Sequence, residues 1–174
     1  MQTWLAGQLL VAAPLLRDPN FYRTVVLILR HDEDGAMGVV LNRPSTERAE
    51  AYLPEWADQL EPEATVFIGG PVQPEVAIGF SRPSELSQPH TGLVDLTTSG
   101  DDDRTGPIRV FAGYAGWGAD QLEAELEESA WIVLPPDWGD LFCEEPERLW
   151  SEVLARQGGR LGMLATFPPD LSLN

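Results

Sequence analysis

The chain has 174 residues, of which 43% are hydrophobic, and its 28 acidic residues against 11 basic ones give a net charge of −17. A surface of this sign repels phosphate backbones, so we expect no nucleic-acid binding. All the basic residues are arginine, which excludes a phosphate-loop lysine and Schiff-base chemistry.

The length predicts a single domain over residues 1–174. No apolar run approaches the roughly 18 residues of a membrane span, so we expect no membrane partner. Residues 1–7 carry no basic segment of the kind that begins a signal peptide. The lone Cys143 excludes an internal disulfide and by itself favours no compartment strongly. The cytoplasm is the default expectation for the location of this acidic protein.

Short apolar segments with turn residues on both sides predict the strands. In chain order they lie at residues 8–12, 24–29, 36–41, 65–68, 76–80, 108–112 and 131–134, with a weaker one at 92–96. The acidic turn ending in Gly35 predicts a hairpin between the second and third of these strands, because glycine accepts a positive φ.

Helices are predicted at 47–53 and 55–60, on either side of Pro54, and then at 120–129 and 146–157. Ser45 or Thr46 is placed to cap the first of them, and Asp120 with Glu123 imitates a capping box at the third. Residues 15–21 predict a turn or short helix. Strands outnumber helices and alternate with them only in part, which favours an α+β fold with a mixed sheet.

Ten apolar residues in or beside these elements are expected to share one core. They are Phe21, Val26, Ile28, Val39, Val66, Ile68, Val110, Trp131, Val133 and Trp150.

The most informative segment is Gly-Tyr-Ala-Gly-Trp-Gly at residues 113–118, which we interpret as a loop between a strand and a helix. Its glycine spacing is not the dinucleotide fingerprint, and it lacks the ending of a phosphate loop. Backbone amides in such a loop could hold a small anion, although Asp120 and Glu123 would repel one. The alternative is a tight corner with Trp117 packed over it, which needs no ligand.

Three segments that follow predicted strands form the candidate ligand site. Loops at strand ends commonly carry function, and these combine backbone amides, two aromatic rings and one oriented arginine, a set suited to a small polar or anionic ligand. The candidate residues are Asn42, Arg43, Gly69, Gly70, Gly113, Tyr114, Gly116, Trp117 and Gly118. The competing interpretation is that these are unrelated turns and that Arg43 forms an internal ion pair.

The remaining reactive side chains form no recognisable catalytic or metal-binding motif. His31 and His90 lack the spacing of a zinc pair, and the acidic runs at 32–34 and 101–103 lack the pattern of a calcium loop. Cys143 stands beside acidic residues, which disfavour a thiolate, and is expected to be inert. We therefore predict no metal and no cofactor.

Four segments together resemble the AlgH/YqgE family of bacterial proteins. They are DPNFYRTVV at 18–26, GAMGVVLNRP at 35–44, GGPV at 69–72 and GYAGWGADQLE at 113–123. The resemblance implies one cytoplasmic α+β domain with a mixed, partly barrel-like sheet flanked by helices. That family has no established biochemical activity and supplies no catalytic residues to transfer.

The function predicted from these observations is a non-enzymatic regulatory or binding protein, whose partner is a protein or a small ligand of unknown identity. The alternative is an enzyme with a dispersed site for a small polar or anionic substrate. Members of the family are sometimes labelled transcriptional regulators, but direct DNA binding fits this chain least well because of its charge.

Overall fold

Strands dominate the computed structural model, which describes residues 4–97 and 107–169. The strands are β1 (Leu9–Ala12), β2 (Val25–Asp32), β3 (Gly35–Val40), β4 (Pro44–Arg48), β5 (Thr65–Ile68), β6 (Val72–Phe80), β7 (Leu93–Val94), β8 (Arg109–Gly118) and β9 (Trp131–Leu134). The α-helices are α1 (Ala49–Tyr52), α2 (Gln121–Glu127), α3 (Trp138–Leu141), α4 (Pro146–Ala155) and α5 (Gly159–Leu164). Short 3-10 helices span Pro54–Gln59 and Pro89–Gly92. In these described ranges, no helix has the length and apolar character needed to cross a membrane.

The strands form one mixed sheet that curls into a half-barrel, so the α+β prediction is confirmed. Its main order is β4-β5-β8-β3-β2-β1-β9, and β6 pairs with both β7 and β8. The β5–β8 strand pair is parallel, and the other strand pairs are antiparallel. Strand β8 is therefore the centre of the fold, because it joins the β2–β3 hairpin to the β4–β5 and β6–β7 layers.

The predicted hairpin between β2 and β3 is confirmed. Gly35 has a φ of +133° and pairs with Asp32 across the turn. A Cβ atom at this position would lie 2.1 Å from the carbonyl oxygen of Trp117 in β8. The turn therefore requires glycine both for its backbone angle and for the close approach of the neighbouring strand.

The segment after β3 departs most from the predicted elements. Residues Pro44–Arg48 form the exposed strand β4 instead of the capped beginning of a helix. The Ser45 hydroxyl accepts a hydrogen bond from the Glu47 amide within that strand. Helical structure is confined to the single turn of α1 and the 3-10 helix after it, because Pro54 lacks the amide needed to continue α1.

Other boundaries also differ from those predicted. Strand β6 begins at Val72, four residues before the predicted start, and the predicted strand at 92–96 shrinks to Leu93–Val94. The prediction of a capping box at Asp120 is wrong, because this residue has a φ of +61° and its side chain makes no capping hydrogen bond. Helices α3 and α5 were not predicted, whereas α4 agrees with the predicted helix at 146–157. The acidic run at 101–103 lies outside the described residues.

The apolar residues form three clusters, so the prediction of one shared core is wrong. Val39 and Trp150 belong to the cluster under α4, Val26, Ile28 and Trp131 to a second under α2, and Val66 and Val110 to a third beside Trp56. The reason is that successive residues of a strand point to opposite faces of a sheet, and here both faces are covered. Ile68 and Val133 are 45% and 36% exposed; Val133 lies on β9, an edge strand of the main sheet.

Candidate functional site

The glycine-rich segment at 113–118 is the second half of strand β8, so its interpretation as a loop is wrong. Its residues alternate in burial: Ala115 and Trp117 are buried, whereas Tyr114 and Gly116 are partly exposed. This alternation is the period of a strand with two different faces. The segment pairs with β3, where Gly118 lies opposite Gly35 and Gly116 opposite Met37.

Gly69 and Gly70 do meet this strand, but through the backbone. The Gly69 amide donates a 2.9 Å hydrogen bond to the Ala112 carbonyl. A Cβ atom at Gly69 would lie 2.3 Å from the Gly113 carbonyl oxygen, and one at Gly70 would lie 2.1 Å from the Tyr114 carbonyl carbon. Backbone therefore fills the space that a ligand would need beside these Cα atoms.

Arg43 binds backbone carbonyls of its own chain. Its guanidinium donates to the carbonyl oxygens of Pro19, Asn20 and Tyr22 at 2.9, 2.7 and 3.0 Å. Partial burial lowers the pKa of the Arg43 guanidinium, although the charge of Asp18 offsets this effect in part. Arg43 therefore holds the turn at residues 19–22 by binding its carbonyl oxygens, and this contact takes the place of the internal ion pair considered above.

The other candidate residues also have internal partners. The Asn42 side chain accepts from the Val25 amide and donates to the Arg23 carbonyl, at 3.0 and 2.9 Å. Trp117 donates through Nε1 to Glu125 Oε2 at 2.8 Å, and Trp131 donates to the same oxygen at 2.8 Å. The segments at 42–44, 69–70 and 113–118 thus lie together in the structure, where neighbouring strands contact one another through their backbones. A ligand-binding role for them stays a prediction.

Two neighbouring cavities, of about 240 and 520 Å³, lie on either side of Cys143 and Glu144. The smaller is lined by Pro44, Glu61, Pro62, Glu63, Ala64, Thr65, Phe67, Arg109, Cys143, Glu144 and Pro146. The larger is lined by Asp137, Gly139, Asp140, Phe142, Cys143, Glu144, Glu145, Leu149, Glu152 and Arg156. We call the two together the acidic groove, because its lining contains seven different carboxylates and two guanidiniums.

Arg109, the first residue of β8, forms the inner wall of the smaller cavity. It is only 7% exposed, and its Cζ lies 4.5 Å from the centre of the Phe67 ring. Its Nη1 donates to the Cys143 carbonyl at 3.0 Å, and its Nη2 to Glu61 Oε2 at 3.2 Å. The buried Nε has no hydrogen-bond partner among the residues that the structure describes. Arg109 therefore ties the α3–α4 connection to the sheet, while Glu61 neutralises its charge.

Arg156 has the same structural role in the larger cavity. Its guanidinium binds both carboxylate oxygens of buried Asp140, at 2.8 and 2.6 Å, and lies 3.3 Å from Asp137. These carboxylates, Asp140 first, raise the pKa of Arg156. Asp140 also accepts from the Asp137 amide and so completes a capping box on α3.

The acidic groove keeps two carboxylates without an ion-pair partner in the described part of the chain, those of Glu63 and Glu144. Glu145 and Glu152 both lie near Arg148, at 3.1 and 3.6 Å. Glu63 and Glu144 are exposed and line the smaller cavity. Glu63 also has a φ of +58°, a sparsely populated backbone angle for a residue with a side chain.

Cys143 separates the two cavities but is itself 7% exposed. Burial raises the pKa of its thiol, an effect that nearby Arg109 offsets in part. The Sγ donates weakly to the Leu41 carbonyl at 3.6 Å. This environment agrees with the expected inertness, since the thiolate is the reactive form. Within the described ranges, no group of three or more His, Cys, Asp or Glu side chains could hold a metal ion.

The acidic groove is not evident from the sequence, although one of its residues gives a usable signal. Arg109 interrupts the otherwise apolar strand segment Ile108–Ala112, and an arginine in a buried strand requires internal partners. The partners themselves lie 48 and 34 residues away, at Glu61 and Cys143. No local spacing connects these positions, so only the fold brings them together.

Known bacterial proteins are similar to this chain in sequence over nearly its whole length. The model of the family described as AlgH-like matches residues 9–162. A UPF0301 protein of Streptomyces coelicolor is 48% identical, with 98% of this chain and 95% of that protein covered. A UPF0301 protein of Mycobacteroides abscessus is 40% identical, with 97% and 88% covered.

Two solved structures are similar over nearly the whole chain. Protein DIP2367 from Corynebacterium diphtheriae has a TM-score of 0.81 at 28% identity, with 95% of this chain and 94% of that one covered. The AlgH protein from Pseudomonas aeruginosa has a TM-score of 0.64 at 33% identity, with 95% of each chain covered.

Proposed function

This chain belongs to the AlgH-like family, and we propose that it is a non-enzymatic binding protein that recognises a basic segment of a partner protein at the acidic groove. The observation that carries the proposal is the pair Glu63 and Glu144, which line the smaller cavity and have no ion-pair partner among the described residues. The proposal includes a cytoplasmic location, which suits a chain whose single cysteine is free.

The smaller cavity suits the side chain of an arginine or lysine. Phe67, Pro44 and Pro146 supply apolar wall for an aliphatic stem, and the two free carboxylates supply acceptors for the charged head. Arg109 does not oppose such a guest, because Glu61 already pairs with it at 3.2 Å. The positive φ of Glu63 supports the same assignment, because strained residues concentrate at binding sites.

The groove offers poor conditions for catalysis. Burial raises the pKa of the Cys143 thiol, which disfavours the nucleophilic thiolate, and the described lining contains no histidine that could act as its base. The carboxylates that are buried or partly buried, Asp140 and Glu61, are held by guanidiniums and serve the structure. Binding without chemistry is the function that these groups support.

Binding of a labelled tetra-arginine peptide, followed by fluorescence anisotropy, tests this proposal. Each exposed ion pair contributes about 0.2–1 kcal/mol, so the double variant Glu63→Gln/Glu144→Gln should bind roughly two- to thirtyfold more weakly. The matched control is Glu33→Gln/Glu128→Gln, which makes the same change in net charge on exposed residues outside the groove. Affinity of the unmodified protein should also fall as salt is added, since these charges are solvated.

The control variant decides between specific and general attraction. If both double variants weaken binding equally, the peptide responds to the net charge of −17 and the groove is not a recognition site. A tetra-glutamate peptide that binds as well as tetra-arginine would also contradict the proposal.

A further inference from the structure

A second kind of cavity lies away from the acidic groove, where the N-terminal segment crosses the β2–β3 hairpin. It has a volume of about 400 Å³, within the range of small-molecule sites. Its lining consists of Ala6, Leu29, Arg30, His31, Met37, His90 and Leu93. Four of these side chains are aliphatic or thioether groups, so most of the wall is apolar.

His31 is a fixed part of this wall. Its Nδ1 accepts a hydrogen bond from the Leu5 amide at 3.1 Å, and its Nε2 lies 2.8 Å from Glu123 Oε1. Trp4 packs edge-on against the imidazole, with ring centres 5.1 Å apart. Both ring nitrogens therefore have partners inside the protein, so His31 holds the N-terminal segment over the cavity and leaves His90 and Arg30 as polar groups for a guest.

The charge of this cavity differs from that of the others described. The two cavities of the acidic groove and a smaller one beside Glu61 each contain at least three carboxylates in their lining. Among the described residues, the lining under the N-terminal segment contains no carboxylate, and it includes one permanently charged guanidinium. Arg30 is paired on one side with Asp32, at 3.4 Å from its Nε, but its side chain is 69% exposed. Its remaining N–H groups are available to an acceptor.

We propose that this cavity binds a small amphipathic anion, with an apolar chain or ring against Leu29, Met37 and Leu93 and a carboxylate directed to Arg30 and His90. The apolar wall suits the apolar part of such a molecule. Because the described lining has a guanidinium and no carboxylate, it favours a negative head group over a positive one. The site is independent of the acidic groove, and a partner protein at the groove is not needed for it.

The methionines provide a direct test. The chain contains three, of which Met37 lines the cavity and Met163 lies on α5, 70% exposed. In protein labelled with 13C at the methionine methyl groups, decanoate below its micelle-forming concentration should shift the Met37 resonance saturably and leave that of Met163 in place. A Met37→Leu variant assigns the resonance.

The head-group assignment is tested in the same titration. Arg30→Gln should weaken decanoate binding about threefold, as expected for an exposed charge pair, whereas the control Arg148→Gln on α4 should not change it. Decyltrimethylammonium should bind more weakly than decanoate. The proposal fails if the two methionines shift in parallel, if the cationic analogue binds as tightly, or if the two arginine variants behave alike.

Discussion

Replacing Gly113 with alanine tests whether the glycines of β8 serve backbone packing. Gly113 has a φ of +71°, and a Cβ atom there would lie 2.6 Å from the Gly70 carbonyl oxygen and 2.9 Å from that of Val72. The left-handed conformation costs a residue with a side chain about 1–2 kcal/mol, and forced overpacking costs about 1–3 kcal/mol. We therefore expect a loss of about 2–5 kcal/mol in unfolding free energy.

Gly116, three residues further along the same strand, is the matched control. Its φ is not positive, and an added Cβ would meet nothing closer than 3.5 Å. Alanine there should change stability by less than about 1 kcal/mol, because glycine already disfavours strands. Urea unfolding of both variants measures the difference, and thermal unfolding should show a decrease of roughly 2–4 °C per kcal/mol at this chain length. Equal small losses at both positions would refute the close-packing explanation.

Three other predictions follow from the described contacts. Trp150→Ala should cost about 3–5 kcal/mol in urea unfolding, because Trp150 is 1% exposed and donates to the Ala12 carbonyl; a loss no larger than that of Trp138→Ala, at a position 36% exposed, would place Trp150 outside the core. Burial raises the pKa of the Cys143 thiol above its usual 9.0, so the thiol ionises at a lower pH in the unfolded chain than in the folded one. Its contribution to the unfolding free energy is therefore fully present below pH 9 and is lost as the pH rises through the folded-state pKa. Cys143→Ala should therefore flatten the decline in stability above pH 9, and fast labelling of the native thiol at neutral pH would contradict this environment. Duplex DNA should not bind at physiological salt, and a micromolar complex in a mobility-shift assay would disprove that.

Buried strands were the elements that the sequence predicted best. The predicted strand at 24–29 is rich in β-branched residues and apolar from Val25 onward. In the structure it corresponds to β2, which is buried from Val25 to Leu29. The hairpin at Gly35 was predicted equally well, because few residues other than glycine accept the positive φ of its turn. These features depend on a few neighbouring residues, which is the range over which sequence patterns are informative.

Predictions failed where a distant segment decides the local structure. The glycines at 113–118 suggested a loop, yet they lie in a strand because β3 and the Gly69–Gly70 backbone approach them closely. Pro44–Arg48 has capping residues of a helix, yet it pairs with β5. The alternation in burial from Tyr114 to Trp117 is visible only in the structure, because these residue types do not alternate between polar and apolar.

The candidate site could be predicted even less, because no local motif marks it. Arg109 is the one member with a visible signal, a charge within an apolar strand. Glu63 and Glu144 are ordinary exposed glutamates in the sequence, and only the fold places them on one cavity.

Amide chemical-shift mapping tests the central claim, that the acidic groove receives a basic segment, most directly. In 1H–15N spectra of the unmodified protein, tetra-arginine should shift the amides of Glu63, Thr65, Cys143 and Glu144, which line the smaller cavity. Those of Glu33 and Glu128, exposed acidic residues outside the groove, should stay unchanged at the same peptide concentration. Shifts distributed evenly over acidic residues of the whole surface, or an unperturbed Glu63–Thr65 segment, would contradict the account.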